Sequence, residues 1–218
     1  MPFSHAMPKL YAITDRKLSA RATHLEIVKE LIRGGAEFIQ VREKGLDALS
    51  LYQQIRTVMA YARPRGVIII INDRVDLAMA TDADGVHLGQ DDLPVPAARR
   101  LLGPTKIIGL STHSLAQALR AEQEPVDYIA MGPIFPTKTK ESSNPPVGTA
   151  IIKKLSSRLS KPIVGIGGIN LRNAAEVLAA GAQSVALISD LATAGNIAGR
   201  TRLLINTLEG RSGKRLRG

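Results

Sequence analysis

The sequence has no cysteine and no tryptophan, only three phenylalanines and four tyrosines, and 19 acidic residues against 29 lysines and arginines. Without cysteine the chain can form no disulfide, offer no thiolate nucleophile and build no cysteine-ligated zinc site. So few aromatic rings leave little surface on which single-stranded nucleic acid could stack. The acidic deficit gives a net charge of +10, but four of the basic residues sit in the last eight positions, RSGKRLRG, leaving +6 over the first 210. That distribution reads as a basic tail on a soluble surface, with no specific nucleic-acid partner expected, while phosphate-bearing substrates remain in view. Long apolar runs are missing as well. The longest, Val67 to Ile71, is far too short to cross a bilayer. The opening MPFSHAMPKLYAIT has neither the charged start nor the apolar stretch of a secretion signal, so a cytoplasmic protein without membrane partners is expected. A dinucleotide fingerprint also fails: GIGGIN, residues 165–170, has Asn170 in place of the third glycine and follows the seventh apolar run, not the first.

What is present is regular. Short β-rich runs recur as KLYAIT (from 9), FIQVRE (38), VIIIIN (67), GVHLG (85), KIIGLS (106), YIAMG (128), PIVGIG (162) and SVALIS (184). Helical patterns lie between them. In HLEIVKELIRGG, Leu25, Val28, Leu31 and Ile32 are expected to share one apolar face, with Gly34 and Gly35 as the stop. NAAEVLAAGA and PVPAARRLLG behave alike. Eight strand and helix units in strict alternation call for a closed parallel sheet, the (β/α)8 TIM barrel, of class α/β. The expected organisation is a single barrel domain over 1–210 and a basic, disordered tail over 211–218, and the composition is ordinary for a globular chain.

In such a barrel the chemistry sits at the carboxyl ends of the strands. In FIQVREK, a strand period of two sends Gln40, Arg42 and Lys44 the same way, bringing two cations and an amide to one space. Asn72, Asp73, Asp91 and Asp92 end the neighbouring third and fourth strands. Any one of these could be a turn or helix cap, but the pair of loops beside a basic strand suits Mg²⁺, which takes one or two carboxylates, waters and phosphate oxygens. Gly167 and Gly168 after the seventh strand and Ser189 after the eighth fall where barrels hold phosphate, with Ser189 expected to cap a short helix; tight turns needing positive φ are the alternative. His87 and His113 read as packed or supporting residues and receive no catalytic role. The segment GPIFPTKTKESSNPPVG, 132–148, is too long for a minimal connection and carries Thr137, Lys138, Thr139 and Lys140; it is expected to be mobile alone and ordered over a polyanion.

Taken in order, QVREK, INDRVDLA, ADGVHLGQDD, GLSTH, DYIAMGPIFPTKTK, IVGIGGI and VALIS closely resemble the thiamine phosphate synthase (thiamine-phosphate pyrophosphorylase) family, from about Tyr11 to Leu208. The resemblance implies a Mg²⁺-dependent transferase, with one Mg²⁺ per subunit, joining two small phosphorylated substrates, a hydroxymethylpyrimidine diphosphate and a thiazole phosphate, with release of pyrophosphate. It implies that the segment Gln40, Val41, Arg42, Glu43 and Lys44 holds the pyrimidine substrate together with Asn72 and Ser111, and that Asp73 and Asp92 hold the metal. Lys140, in the segment with Lys138, meets the diphosphate, while Thr137, Thr139, Gly168, Ile188 and Ser189 meet the thiazole phosphate. Arg42, Lys44 and Lys140 are the catalytic cations in this reading. Asp91 is left out, and a homo-oligomer is allowed. A thiazole tautomerase on the same barrel would need neither the diphosphate lysines nor the paired aspartates. A phosphosugar isomerase or epimerase would share the phosphate loops but require a placed acid and base. A nucleic-acid or phosphate-binding protein without activity would call for a basic stripe interleaved with aromatics.

Overall fold

The computed structural model describes residues 7–19, 21–137 and 145–211. Among these residues eight parallel strands close into a barrel in the order β1-β2-β3-β4-β5-β6-β7-β8, with β8 pairing back onto β1. The strands are β1 Leu10–Ile13, β2 Phe38–Val41, β3 Ile68–Asn72, β4 Gly85–Leu88, β5 Ile107–Thr112, β6 Tyr128–Met131, β7 Ile163–Ile166 and β8 Ser184–Leu187. Each coincides with one of the runs read from the sequence. The helices are α1 His24–Arg33, α2 Ala48–Ala62, α3 Val75–Ala80, α4 Val95–Leu102, α5 Leu115–Ala121, α6 Thr149–Ser156, α7 Ala174–Ala179, the short α8 Ser189–Ala192 and α9 Ile197–Leu208. None of the described helices is long and apolar enough to cross a membrane.

The strands alternate their side chains between two cores. Ile39, Val41, Ile69, Ile71, Val86 and Leu88 face the helices and join the larger core. Tyr11, Ile13, Phe38, Ile70, Ile107, Tyr128, Val164 and Ala186 fill the barrel interior. Three aromatic side chains thus pack inside the barrel, with Tyr11 and Phe38 ring centroids 4.4 Å apart and Tyr11 and Tyr128 5.8 Å apart. Gly109 of β5 makes room for one of them: a Cβ there would lie 2.0 Å from Cζ of Tyr128, its register partner on β6.

Helix α1 starts with a reciprocal cap in which Thr23 Oγ1 accepts from the Glu26 N–H and the Glu26 carboxylate accepts from the Thr23 N–H. Its buried face is His24, Ile27, Val28 and Leu31, with Leu25 and Ile32 only partly buried. The expected stripe is therefore rotated. The buried positions still keep the i, i+3, i+4, i+7 spacing, but a histidine occupies the first, because Thr14 and Glu43 give its ring polar partners there.

Candidate active site

The parallel closed sheet gathers all eight carboxyl ends at one mouth. Gln40, second from the end of β2, points into the barrel, almost fully buried, and donates from Nε2 to the Tyr11 hydroxyl at 2.7 Å. The strand ends at Val41, so the period of two stops there, and the common face expected for Gln40, Arg42 and Lys44 does not extend past it. Arg42 turns to β1 and donates from Nη1 to Asp15 at 2.5 Å, both side chains nearly buried. Its buried Nε has no hydrogen-bond partner among the described residues, a donor left for a ligand. Lys44 reaches across to β3 and meets Asp73 at 2.5 Å, half exposed. The Val41 side chain packs into the helix-facing core.

The Glu43 carboxylate holds the turn together. It accepts from the N–H groups of Lys44 and Gly45 at 2.9 and 2.7 Å, and it lies 3.3 Å from Arg16 Nε and from His24 Nε2. Burial would raise its pKa, but those two N–H groups, with His24 and Arg16, outweigh burial and hold it below the usual range. His24 is pushed down to about 4, first by burial, against the upward pull of Glu43. At neutral pH it is therefore an uncharged ring, placed to donate to Glu43 and accept from the Thr14 hydroxyl at 2.9 Å. Thr14 Oγ1 also accepts from the Arg42 N–H at 3.2 Å. Asp15, Thr14, Arg16 and His24 were not singled out from the sequence, because their role depends on β1 lying beside β2.

Asp73 and Asp92 come together as the sequence suggested. Burial raises the Asp92 pKa, and the nearby Asp73 charge adds to the rise, partly offset by the Gly89 N–H at 2.7 Å. Asp73 sits at φ +62, a conformation uncommon for a residue with a side chain, and its N–H donates to the His87 carbonyl at 2.8 Å. Among the described residues no group of three or more His, Cys, Asp or Glu side chains forms a metal cage. Two carboxylates whose charges oppose each other fit a hard cation that retains waters and ligand oxygens. Asp91 is exposed. Asn72 is buried at the end of β3, opposite His87 in register.

On the other side of the mouth, Thr137, Gly168 and Ser189 line one open cleft of about 710 Å³. Gly167 and Gly168 have φ of +97° and +65°, and a Cβ on Gly168 would lie 2.6 Å from the Pro136 carbonyl oxygen. Positive φ and the close approach of the β6 segment both demand glycine here. Ser189 is the first residue of α8 and makes no side-chain cap; Ile188 holds the capping position, so the expected capping role is corrected, while the Ser189 residue stays on the cleft wall. Arg172, in the turn before α7, and Arg200, on α9, also line the cleft and were missed in the sequence, where isolated arginines carry no distinguishing signal. His113 donates from Nδ1 to the Gly132 carbonyl at 2.7 Å and so ties β5 to the start of the β6 segment. Lys138, Thr139 and Lys140 lie outside the described residues, as does the expectation of a mobile loop.

Between the two sides runs a buried polar chain. Ser111 Oγ lies 2.8 Å from His87 Nε2, His87 Nδ1 lies 2.8 Å from the Tyr128 hydroxyl, and that hydroxyl lies 2.8 Å from the Tyr11 hydroxyl, which Gln40 reaches. Burial pushes the Tyr11 phenol well up against the hydrogen bonds from Tyr128 and Gln40. Burial, then Tyr11, do the same for Tyr128, so both phenols keep their protons.

The thiamine monophosphate synthase family profile matches residues 10–191. The chain belongs to that family. It is 41% identical over 201 residues to the thiamine-phosphate synthase of Shouchella clausii, covering 92% of this chain and 96% of that one. It is 45% identical over 196 residues to that of Methanospirillum hungatei, covering 88% and 94%. A thiamine phosphate pyrophosphorylase structure from Pyrococcus furiosus superposes with a TM-score of 0.85 at 38% identity, over 94% of this chain and 97% of the other. Membership makes the protein a transferase of thiamine biosynthesis, and it bears out the family resemblance and the (β/α)8 barrel.

Proposed function

We propose that the protein condenses 4-amino-2-methyl-5-hydroxymethylpyrimidine diphosphate with 4-methyl-5-(2-phosphoethyl)thiazole, giving thiamine phosphate and pyrophosphate. The observation that carries this reading is the division of one mouth into two sides: paired cations and carboxylates, Arg42 with Asp15 and Lys44 with Asp73 beside Asp92, at β1 to β4, and a glycine-lined cleft at β7 and β8. Two phosphorylated substrates would have a place each.

On the first side, Arg42 and Lys44 would take the diphosphate, Arg42 through its unpartnered Nε. Asp73 and Asp92 are the residues that would hold Mg²⁺, which when bound supplies positive charge against the leaving diphosphate. By the family correspondence Lys140 adds a third cation and Lys138 lies beside it. Gln40, Asn72 and Ser111 surround the pyrimidine. Val41 and Glu43, included in the binding segment by the resemblance, support it from behind, Val41 through the outer core and Glu43 through the turn. On the second side Thr137, Thr139, Gly168, Ile188 and Ser189 would hold the thiazole phosphate.

The chemistry asked of these residues is electrostatic and positional. The C–O bond to the diphosphate breaks as charge grows on the leaving oxygens, and preorganised cations lower that cost. The resulting pyrimidinylmethyl cation, stabilised by the electron-rich aminopyrimidine, is captured by the thiazole nitrogen. No protein nucleophile is needed, and the barrel's main task is to hold both rings in line and dry. A cytoplasmic location accords with the substrates, and assembly into a homo-oligomer is compatible with the fold.

The test is to mix purified protein with both substrates and Mg²⁺ and to follow thiamine phosphate and pyrophosphate. Both products should appear in equal amounts and only when both substrates are present. Formation of neither, or mere isomerisation of the thiazole, would overturn the proposal.

A further inference from the structure

The buried chain across the barrel interior has a direction. Five strands contribute to it: β2 with Gln40, β1 with Tyr11, β6 with Tyr128, β4 with His87 and β5 with Ser111, all nearly or wholly buried. Its four hydrogen bonds are 2.7 to 2.8 Å long. Gln40 Nε2 can only donate, so the Tyr11 oxygen accepts at that end. The Tyr11 proton then has one partner left, the Tyr128 oxygen. The Tyr128 proton in turn goes to His87 Nδ1. That nitrogen must be unprotonated, so the ring proton sits on Nε2 and is donated to Ser111 Oγ. With the Gln40 amide nitrogen on Tyr11, either the other tautomer or a doubly protonated imidazole would turn the Tyr128 proton back toward Tyr11 and leave a buried Tyr11 hydroxyl with no acceptor among the described residues, a defect that protein interiors avoid.

We propose that His87 is a positioning residue, locked as the Nε2–H tautomer by Tyr128 and Tyr11, that this lock makes Ser111 a hydrogen-bond donor toward the barrel mouth, and that the Tyr11 contact of the Gln40 amide nitrogen turns the Gln40 carbonyl oxygen there as an acceptor. Ser111 already accepts from His87, so its own proton is the one it can offer a ligand. Gln40 already uses its amide nitrogen on Tyr11, which leaves its oxygen to accept. The two ends of one chain therefore present opposite hydrogen-bonding senses. A heteroaromatic ring carrying an amino group next to a ring nitrogen has a donor and an acceptor on one edge and matches that pair. This substrate half rests on the function proposed above, whereas the proton order rests on the protein alone.

The experiment uses the full-length protein labelled with ¹⁵N at its four histidines, with the His87 signals assigned by their loss in His87→Gln. The ¹⁵N shifts at neutral pH should show Nδ1 unprotonated and Nε2 protonated. A protonated Nδ1, or an average of the two tautomers, overturns the proposal on the unmodified protein, whatever any variant does. Tyr128→Phe keeps the ring and removes the relay. It should let the tautomers mix and weaken binding of the pyrimidine diphosphate roughly tenfold, leaving thiazole phosphate binding unchanged. Ser111→Ala should weaken the same ligand, and the two changes together should cost less than their sum. Equal losses for both ligands would reduce the chain to packing and overturn the positioning role. A wild-type protein with the expected tautomer that binds no pyrimidine diphosphate would overturn the functional reading and the substrate half with it, while the proton order stands.

Discussion

The two sides of the barrel mouth are built from different materials. The side formed by β1 to β4 is made of charged side chains already paired with one another: Arg42 with Asp15, Lys44 with Asp73, and Glu43 with the turn that carries both cations. The side formed by β7 and β8 sets backbone in left-handed conformations against an open cleft, and the charged pair described on its wall, Arg200 with Asp190, is long at 3.9 Å. The first must exchange existing contacts for those of a ligand; Lys44 and Asp73 in particular must part if one is to meet phosphate and the other a cation. The second has less to exchange. In the proposed function the metal therefore belongs on the first side, while the second combines glycine backbone with the arginines of its wall.

The contrast can be broken most severely at Arg42. Arg42→Ala leaves Asp15 nearly buried without its partner, and loss of one member of such a pair costs about 3 to 5 kcal/mol, read by urea unfolding. Asp15→Asn in the same background should restore part of it. Asp92→Ala should lower turnover on the order of a hundredfold by weakening metal binding, and excess chelator should do the same to the unmodified protein; full activity in chelator would remove the metal from the account. On the backbone side, Gly168→Ala forces a side chain into positive φ and against the Pro136 carbonyl. It should cost ~2 to 3 kcal/mol of stability and raise KM for the thiazole phosphate more than for the diphosphate.

Acid should act on the charged side alone. With a folded pKa of about 4 against an ordinary value near 6.5, His24 binds fewer protons folded than unfolded between those values. Its neutral form thus supports the fold above pH 6.5, and that support is lost as the pH falls toward 4. At pH 5 the protein should be less stable than at pH 7 by about 2 kcal/mol from this group, and the difference should shrink in His24→Gln. The smallest effect is expected from deleting residues 211–218, which follow α9 and carry no apolar face: turnover and melting temperature should both be nearly unchanged.

The strands were legible because each is a short β-branched run closed by a turn, and eight such runs in alternation with helices leave few architectures. Asn72, Asp73, Asp91 and Asp92 stood out together because strand ends map onto the mouth before any contact is known, and it was the family resemblance that singled out Asp73 and Asp92 among them. What escaped notice depends on register and on neighbours. Tyr11 and Tyr128 lie 117 positions apart, and nothing in LYAI or YIAM announces that their hydroxyls meet. His24 looked like the first turn of an ordinary amphipathic helix, and only the approach of Thr14 and Glu43 explains why a histidine can be buried there. The alternation of Gln40, Arg42 and Lys44 was a true signal read three positions too far, since β2 stops at Val41 and a turn redirects the rest.

The absent side chain at Gly109 has a consequence for how this sequence can drift. Tyr128 occupies the volume a β-carbon would need, so positions 109 and 128 share a single space and no side chain can be added at 109 while Tyr128 stays. Alanine at 109 is admissible only with a smaller residue at 128, and a smaller residue at 128 removes the hydroxyl on which His87 leans. The barrel interior is thus tied to the mouth above it by steric exchange: divergence at a buried glycine would have to pass through a form with an altered Tyr128–His87–Ser111 chain.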